Sequence, residues 1–278
     1  MHDNRPTSTS GFGIGASTRR IAAMVLRHLY LLRSSWPRIF ELMYWPTIQI
    51  ILWGFITLFL ATNSSYIAEA AGVLISAVLL WDVLFRGQLG FSLSFLEEIW
   101  SRNLGNLCVS PLRTGEFLTA LMVMSLFRTL LGLLPAAGLA IVFYEVSIFE
   151  MGLALVAFFA NLLVMGWAIG MFVTALILRV GQGAENVAWL AIFLIAPVSA
   201  IYYPVAVLPD WLQLIAWGLP TAVVFEGMRA ILIEGVFSLP LLLRAIFLNL
   251  LYLSLGAAVF FYSFQVARRR GLLLQIGE

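Results

Sequence analysis

Residues 151–178 read MGLALVAFFANLLVMGWAIGMFVTALIL, a run without one charged side chain. A helix needs about 20 apolar residues to cross a hydrocarbon core of about 30 Å, and this run exceeds that length. Because backbone polar groups in lipid must be paired within the protein, the run predicts a transmembrane α-helix. Its unbroken apolar character differs from the alternating pattern of a membrane β-barrel strand.

The whole chain shares the composition of this run. Of its 278 residues, 62% are hydrophobic and 11% are charged, and the mean hydropathy is +0.99. A soluble domain of this size needs more polar surface than such a composition supplies. The composition therefore predicts an all-α membrane protein, with the lipid bilayer as its partner and no nucleic acid.

Apolar segments of similar character recur along the chain, with polar residues between them. They predict six transmembrane helices, at residues 45–61, 68–90, 116–144, 151–178, 186–203 and 241–266. Pro46 suits the first turn of the first helix, where its missing N–H costs little. Residues 204–240 are interrupted by prolines and charges, which predicts two short helices that form a re-entrant pair before the last span.

The ends of the chain differ from this transmembrane domain, residues 41–267. Residues 1–18 are rich in Ser, Thr and Gly and predict a disordered tail, and residues 268–278 predict a cytoplasmic C-terminal tail. In residues 19–40, apolar side chains recur at near-helical spacing between arginines, which predicts an amphipathic helix in the membrane interface. A cytoplasmic helix packed on protein is the alternative.

The arginines predict the orientation of the chain, which has no lysine. With the N-terminus inside the cell, most of the 16 basic residues lie on the cytoplasmic side, and the outer connections hold only Arg229 and Arg244. This distribution follows the positive-inside rule. We therefore expect a multi-pass protein of the cell inner (plasma) membrane with both termini cytoplasmic.

The longest polar interruption lies between the second and third predicted spans, on the cytoplasmic side. Residues 95–112 read FLEEIWSRNLGNLCVSPL, an amphipathic pattern that Pro111 ends because the residue before proline disfavours helix. The pattern predicts a short helix that either docks in a groove of a soluble partner or caps the bundle. The candidate contact residues are Glu97, Glu98, Trp100, Arg102, Asn103 and Leu104.

Part of this segment carries a family resemblance. The run EEIWSRNLGNL at 97–107, followed by Ser-Pro-Leu at 110–112 and by Glu116-Phe117, resembles the signature of the type-2 ATP-binding-cassette exporter permeases. These are the transmembrane subunits of nodulation-factor, drug and polysaccharide exporters. The layout of apolar segments resembles that family along nearly the whole chain.

A second element precedes the last predicted span. Leu219-Pro220-Thr221, followed by FEGMR at 225–229 and by Gly235, is similar to the motif found there in the same family. Leu219 stands where many members have Asn, so this match is looser.

The resemblance implies a division of labour. Two permease copies, as a homodimer or a heterodimer, form the path, and two separate cytoplasmic ATP-binding subunits carry ATP and Mg. Residues 95–107 would be the coupling helix in an ATPase cleft, residues 19–40 an interface helix beside it, and Pro220, Glu226 and Arg229 part of an exit region. The chain has no Walker-type run, so we expect no bound cofactor and no enzymatic activity of its own.

Charged residues inside the predicted spans are candidates for the pathway or the dimer interface. Arg128 lies within the third span, where an unpaired charge costs at least about 2.5 kcal/mol. It is expected either to face the pathway or interface, or to snorkel toward the headgroups. Asp82 and Arg86 are four residues apart and are expected to pair, with a proton relay as the alternative.

Other candidates have two open interpretations each. Glu226 and Arg229 either fix the re-entrant pair or guard the exit. Trp53 and Trp81 lie deep in their spans, where they either stack on a sugar or a polycyclic drug or pack in lipid and core. No set of Cys, His and carboxylate residues has the spacing of metal ligands.

With the apolar layout, the resemblance implies the transmembrane permease subunit of an ATP-driven exporter. Its substrate would be amphipathic or lipid-linked: a glycolipid, a polysaccharide or a drug. An ion-coupled secondary transporter and a non-transporting membrane scaffold are the alternatives.

Overall fold

The computed structural model describes residues 13–63, 65–181 and 185–271, and within these ranges only the backbone of residues 60–63, 65–71 and 185. Within these ranges the chain forms α-helices joined by short loops and 3-10 turns, without a β-strand. The helices are α1 Ile14–Arg33, α2 Trp36–Asn63, α3 Ser65–Trp100, α4 Leu104–Val109, α5 Thr114–Tyr144, α6 Leu153–Val180, α7 Glu185–Ile195, α8 Asp210–Trp217, α9 Pro220–Glu234 and α10 Leu239–Arg269.

Five of the described helices are long and apolar enough to cross a membrane, and six spans result if the bent pair α8–α9 is taken as one. The five are α2, α3, α5, α6 and α10. The third, fourth and sixth predicted spans coincide with α5, α6 and α10 to within three residues at each end. The prediction of an all-α chain with several helices able to cross a membrane is therefore confirmed.

The first predicted span is misplaced at its start. Helix α2 begins at Trp36, and Pro46 lies inside it rather than in its first turn. Proline is tolerated within apolar spans because neighbouring groups and small local adjustments satisfy the backbone it leaves unpaired.

The predicted interfacial helix at residues 19–40 is two pieces. Helix α1 ends at Arg33, two serines follow, and the remainder belongs to α2. Residues 14–18 are helical, so the predicted tail is too long at its inner end, while residues 1–12 lie outside the described part. At the other end, Arg268 and Arg269 still belong to α10, and residues 272–278 are not described.

The fifth predicted span, residues 186–203, is not a continuous helix. Helix α7 ends at Ile195, and a 3-10 turn follows at Ala196–Val198. Pro197 lacks the N–H that a continuing helix would need, so the helical ladder stops there. The remaining helix is too short to cross a membrane alone.

The predicted pair of short helices before the last span is present. Helices α8 and α9 meet at an angle of 94° across a short break. Pro220 is the first residue of α9, where its fixed φ suits a helix start. How deeply this pair enters a bilayer stays a prediction.

Helix α3 is the central helix of the bundle. In its most apolar part 78% of the residues are buried, against 22% for α2 and α10. It packs against α2, α5, α6, α7 and α9. Gly166 allows α6 to approach closely, because a Cβ there would lie 2.9 Å from the backbone of Leu84 and Gln88.

Candidate functional site

The connection from α3 to α4 is a corner rather than a single helix. The sequence predicts one helix over residues 95–107, and this is wrong, because α3 ends at Trp100 and α4 begins at Leu104. Asn103 and Gly105 are poor helix formers, which favours a break here. We call residues 100–111 the α3–α4 corner.

A Schellman motif closes α3 at this corner. The N–H of Asn103 donates to the carbonyl of Glu98 at 2.9 Å, and the N–H of Arg102 donates to that of Ile99 at 2.8 Å. Arg102 adopts the left-handed conformation, with φ +51°, where glycine is usual. A non-glycine residue in this conformation costs about 1 kcal/mol, so the backbone of Arg102 is strained.

The predicted contact residues divide into an exposed set and a buried set. Trp100 is 45% exposed, Arg102 is exposed and Asn103 half-buried, and Val109 further along the corner is 87% exposed. By contrast, the side chains of Glu97, Glu98 and Leu104 are buried. The amphipathic pattern predicts Trp100 and Leu104 on the apolar face and the two glutamates on the polar face, whereas Trp100 is exposed and both glutamates are buried.

Glu97 connects α3 to α2 and α5. Its two carboxylate oxygens accept from Nη2 of Arg128 at 2.9 and 2.7 Å, and Oε1 also accepts from Nη1 of Arg38 at 3.2 Å. Arg128 is 5% exposed. A charge buried this deeply requires a partner, and Glu97 supplies it within the bundle.

Glu98 connects the same end of α3 to α1 and to the corner. It accepts from Nε of Arg27 at 3.1 Å and from Nδ2 of Asn103 at 2.6 Å, and Nε2 of His28 lies 3.3 Å away. The other ring nitrogen of His28 faces the carbonyl of Met24 at 3.0 Å. This fully buried carboxylate therefore holds α1 against the corner.

A second ion pair fastens α1 to the start of α5. Glu116 accepts from Nε and Nη2 of Arg20 at 2.8 and 2.6 Å and from the Ser17 hydroxyl at 2.8 Å. The hydrogen bond to Glu116 raises the pKa of Arg20 above its usual value. Two glutamates thus anchor α1 beside the corner, one at each end of the α3–α5 connection.

A cavity of about 530 Å³ opens between α2, α3, α5 and α7, next to Glu97. Its wall is mainly apolar, and Phe85 packs against Trp189 and Phe193 with ring centroids 6.3 and 5.9 Å apart. The lining residues are Leu32, Arg38, Glu41, Leu42, Trp45, Gln49, Phe85, Arg86, Leu89, Gly90, Leu93, Glu97, Trp100, Arg128, Trp189 and Phe193.

Two of the arginines predicted from the sequence line this cavity. Nε of Arg86 donates to Oδ2 of Asp82 at 2.6 Å, so the predicted ion pair on α3 is present. The terminal nitrogens of Arg86 have no hydrogen-bond partner among the described residues, and Nε of Arg128 is buried without one. Because Nε of Arg128 has almost no accessible surface, the unused donors of these two arginines on the cavity wall are those of Arg86 alone.

The two deep tryptophans do not line this cavity. Trp81 is 5% exposed and belongs to the core. Trp53 stacks on Tyr202, with ring centroids 4.5 Å apart. Trp45, Trp100 and Trp189 are the tryptophans that face the cavity.

The charged pair of the re-entrant region has structural contacts. Arg229 donates to the carbonyl of Ala200 at 2.8 Å and lies 3.1 Å from Oε1 of Glu226. Glu226 accepts from the N–H of Val205 at 2.6 Å. These bonds tie α9 to the preceding loop, which supports the interpretation that the pair fixes this region.

Sequence reasoning missed Arg27, His28, Arg38 and Arg20 as partners. The sequence predicts them only as polar residues of an amphipathic helix in the membrane interface. A count of charges could have found them, because the three glutamates of residues 97–116 need basic partners if they are buried. Among the described residues no group of three or more His, Cys, Asp or Glu is placed to bind a metal ion.

Comparison with known proteins found no matching family model and no matching curated protein. The function must therefore be argued from the corner and the cavity themselves.

Proposed function

We propose that this chain is the transmembrane permease subunit of an ATP-driven exporter, and that a separate cytoplasmic ATP-binding subunit docks on the α3–α4 corner. One observation carries the proposal. The exposed side chains of the corner follow directly after two buried carboxylates, Glu97 and Glu98. These carboxylates connect the end of α3 to α1, α2 and α5.

This arrangement suits the transmission of movement. A docked subunit shifts a conformational equilibrium only if it contacts two states of the permease differently. Neither buried glutamate can lose its basic partners without a large cost. A displacement of the corner must therefore move Arg27 and Arg128 with it, and Arg128 forms part of the cavity wall.

The orientation follows from the arginine distribution. Both termini are cytoplasmic only with an even number of crossings, which holds if the bent pair α8–α9 is the sixth span. The corner and α1 then lie on the inner side of the cell inner membrane. Two copies of the chain, as a homodimer, place two corners beneath one transport path. An amphipathic or lipid-linked glycolipid, polysaccharide or drug then moves from the cytoplasm or the inner leaflet outward.

ATP and Mg belong to the partner subunit in this account. The chain has no lysine and no phosphate-binding loop of the Walker type. The permease contributes binding and conformational change, and the chemistry of hydrolysis takes place on the ATPase.

The test uses Arg102→Gly, because glycine relieves the left-handed strain while it removes the exposed cation. We expect unchanged stability or a gain of up to about 1 kcal/mol. Affinity for the co-purified ATPase should fall about tenfold, as for the loss of one charge-assisted contact. Binding of the ATPase to the purified permease and the melting temperature are the measurements.

Glu145→Gly is the matched control. Glu145 follows α5 in the same left-handed conformation, with φ +56°, and lies away from the corner. It should gain stability in the same way and bind the ATPase normally. If no ATPase co-purifies, or if both variants bind it as the unchanged protein does, the proposal fails.

No observation favours the alternatives specifically. An ion-coupled transporter needs a carboxylate that is free to exchange its ion, whereas Asp82, Glu97 and Glu98 are each bonded to arginine. A membrane scaffold needs no ATPase. Co-purification with an ATP-hydrolysing subunit separates the exporter from both.

A further inference from the structure

The buried histidine of α1 has both ring nitrogens turned toward hydrogen-bond acceptors. His28 is fully buried, and its Nδ1 lies 3.0 Å from the carbonyl oxygen of Met24. Its Nε2 lies 3.2 Å from the carbonyl oxygen of Ser94 on α3 and 3.3 Å from Oε1 of Glu98. Among the described residues no donor is bonded to either nitrogen. The ring is therefore placed to donate two hydrogen bonds and to accept none.

This geometry fits the charged form of the ring. A neutral imidazole donates from one nitrogen and carries a lone pair on the other. Each neutral tautomer would therefore turn its lone pair toward a carbonyl oxygen, and one of them also toward the carboxylate of Glu98. The imidazolium carries a hydrogen on both nitrogens, so it satisfies the acceptors on both sides and pairs with a buried carboxylate.

The negative charge beside the ring comes from Glu98, which Arg27 of the same helix α1 also contacts. Helices α2 and α5 pack against α1 as well, but in the described part of the chain their charged groups form no ion pair with the ring. Arg38 and Arg128 bond to Glu97, Glu116 bonds to Arg20, and Glu41 is exposed.

We propose that His28 is a pH-dependent positioning residue. As the imidazolium it holds α1 against the end of α3, and this contact weakens when the ring loses a proton. Histidine changes its charge between about pH 5 and 8, so the contact is complete on the acid side of that change and weakens as the pH rises. Glu98 also accepts from Nδ2 of Asn103 at 2.6 Å, so the same proton affects the carboxylate that holds the α3–α4 corner.

The inference goes beyond the proposed function, because it concerns the packing of α1 within this chain and needs no ATPase. The test uses the purified full chain in maltoside micelles. Substitution His2→Gln leaves His28 as the only histidine, so nitrogen NMR of an isotope-labelled imidazole shows whether one or both of its nitrogens carry a hydrogen. A nitroxide label on Ala23→Cys in a Cys108→Ser background, at an exposed position of α1, reports how firmly the helix is held.

Between about pH 5 and 9 we expect both nitrogens to carry a hydrogen at the acid end and one of them to lose it as the pH rises. The label should become more mobile over the same interval. The melting temperature should fall by at least about 2 °C, as for the loss of one buried charge-assisted hydrogen bond.

His28→Gln is the matched variant. Its amide can donate to the carbonyl of Ser94 and to Glu98 but does not titrate, so the label and the melting temperature should lose most of their dependence on pH. His28→Met offers no donor, so at acid pH its label should be as mobile as that of the unchanged position at alkaline pH.

A ring with only one protonated nitrogen while the label is immobile would overturn the inference. A ring that keeps both protons up to about pH 9, a label indifferent to the loss of the proton, or the same pH dependence in His28→Gln would overturn it as well. The measurements with histidine at position 28 decide the matter even if the variants do not fold. An ATPase that never binds would contradict the proposed function and leave this inference intact.

Discussion

The charge of Glu97 is compatible with burial because single arginine side chains pair with it. Arg128 and Glu97 are 31 residues apart in sequence and 2.7 Å apart in space. The sequence singles out Arg128 as a charge within a span and Glu97 as a docking contact, but helical periodicity relates only residues within one helix and so cannot pair them. The pair between Asp82 and Arg86 was predictable for that reason, since both lie on α3.

The Glu97–Arg128 pair should behave as a coupled unit in a double-mutant cycle. Arg128→Met or Glu97→Met alone should destabilise the protein by about 3 kcal/mol, because each leaves a buried charge short of a partner. The double variant should cost less than the sum of the two. Reversible unfolding in detergent micelles measures these differences, and strict additivity would show that the two side chains do not interact.

At the scale of elements, apolar blocks fixed which segments are helices but not where they bend. Helices α5, α6 and α10 follow their apolar blocks closely, because hydrophobic length and backbone pairing decide them. The breaks after Trp100 and Ile195 depend on a helix-ending motif and on Pro197, which a hydropathy pattern does not weigh. The sequence therefore does not predict the break at the end of α3, although it identifies the segment that contains the candidate site.

The contact between α3 and α6 should be intolerant of added volume. In Gly166→Ala the new Cβ would lie 2.9 Å from the backbone nitrogen of Gln88 and from the carbonyl of Leu84. Backbone cannot give way as a side chain can, so we expect a loss of about 1–3 kcal/mol. Thermal unfolding measures the change.

Gly138→Ala on α5 is the control for this contact. It adds the same methyl group to an apolar helix at an open position, so its melting temperature should be unchanged or slightly higher. A stable Gly166→Ala protein would mean that α3 and α6 are farther apart than described.

At the scale of the whole molecule, contacts run without a gap from the exposed corner through the buried ion pairs to the cavity. The corner lies at the end of α3, and Glu97 lies in the last turn of that helix. Glu97 contacts Arg128, which lines the cavity together with Arg86. The central claim is that this corner faces the cytoplasm and is covered there by an ATPase.

Thiol labelling tests that claim most directly. Cys108 is the only cysteine, so Val109→Cys in a Cys108→Ser background gives one reactive thiol at an 87% exposed position. Glu150→Cys in the same background, at an exposed position beyond the far end of α5, reports the opposite side. The reagent is a membrane-impermeant maleimide, applied to intact cells and to inverted membrane vesicles.

We predict that Val109→Cys is labelled only in inverted vesicles, and more rapidly after the ATPase has been stripped from them. Glu150→Cys should be labelled only in intact cells. Labelling of Val109→Cys in intact cells, or labelling in vesicles that is indifferent to the ATPase, would contradict the account.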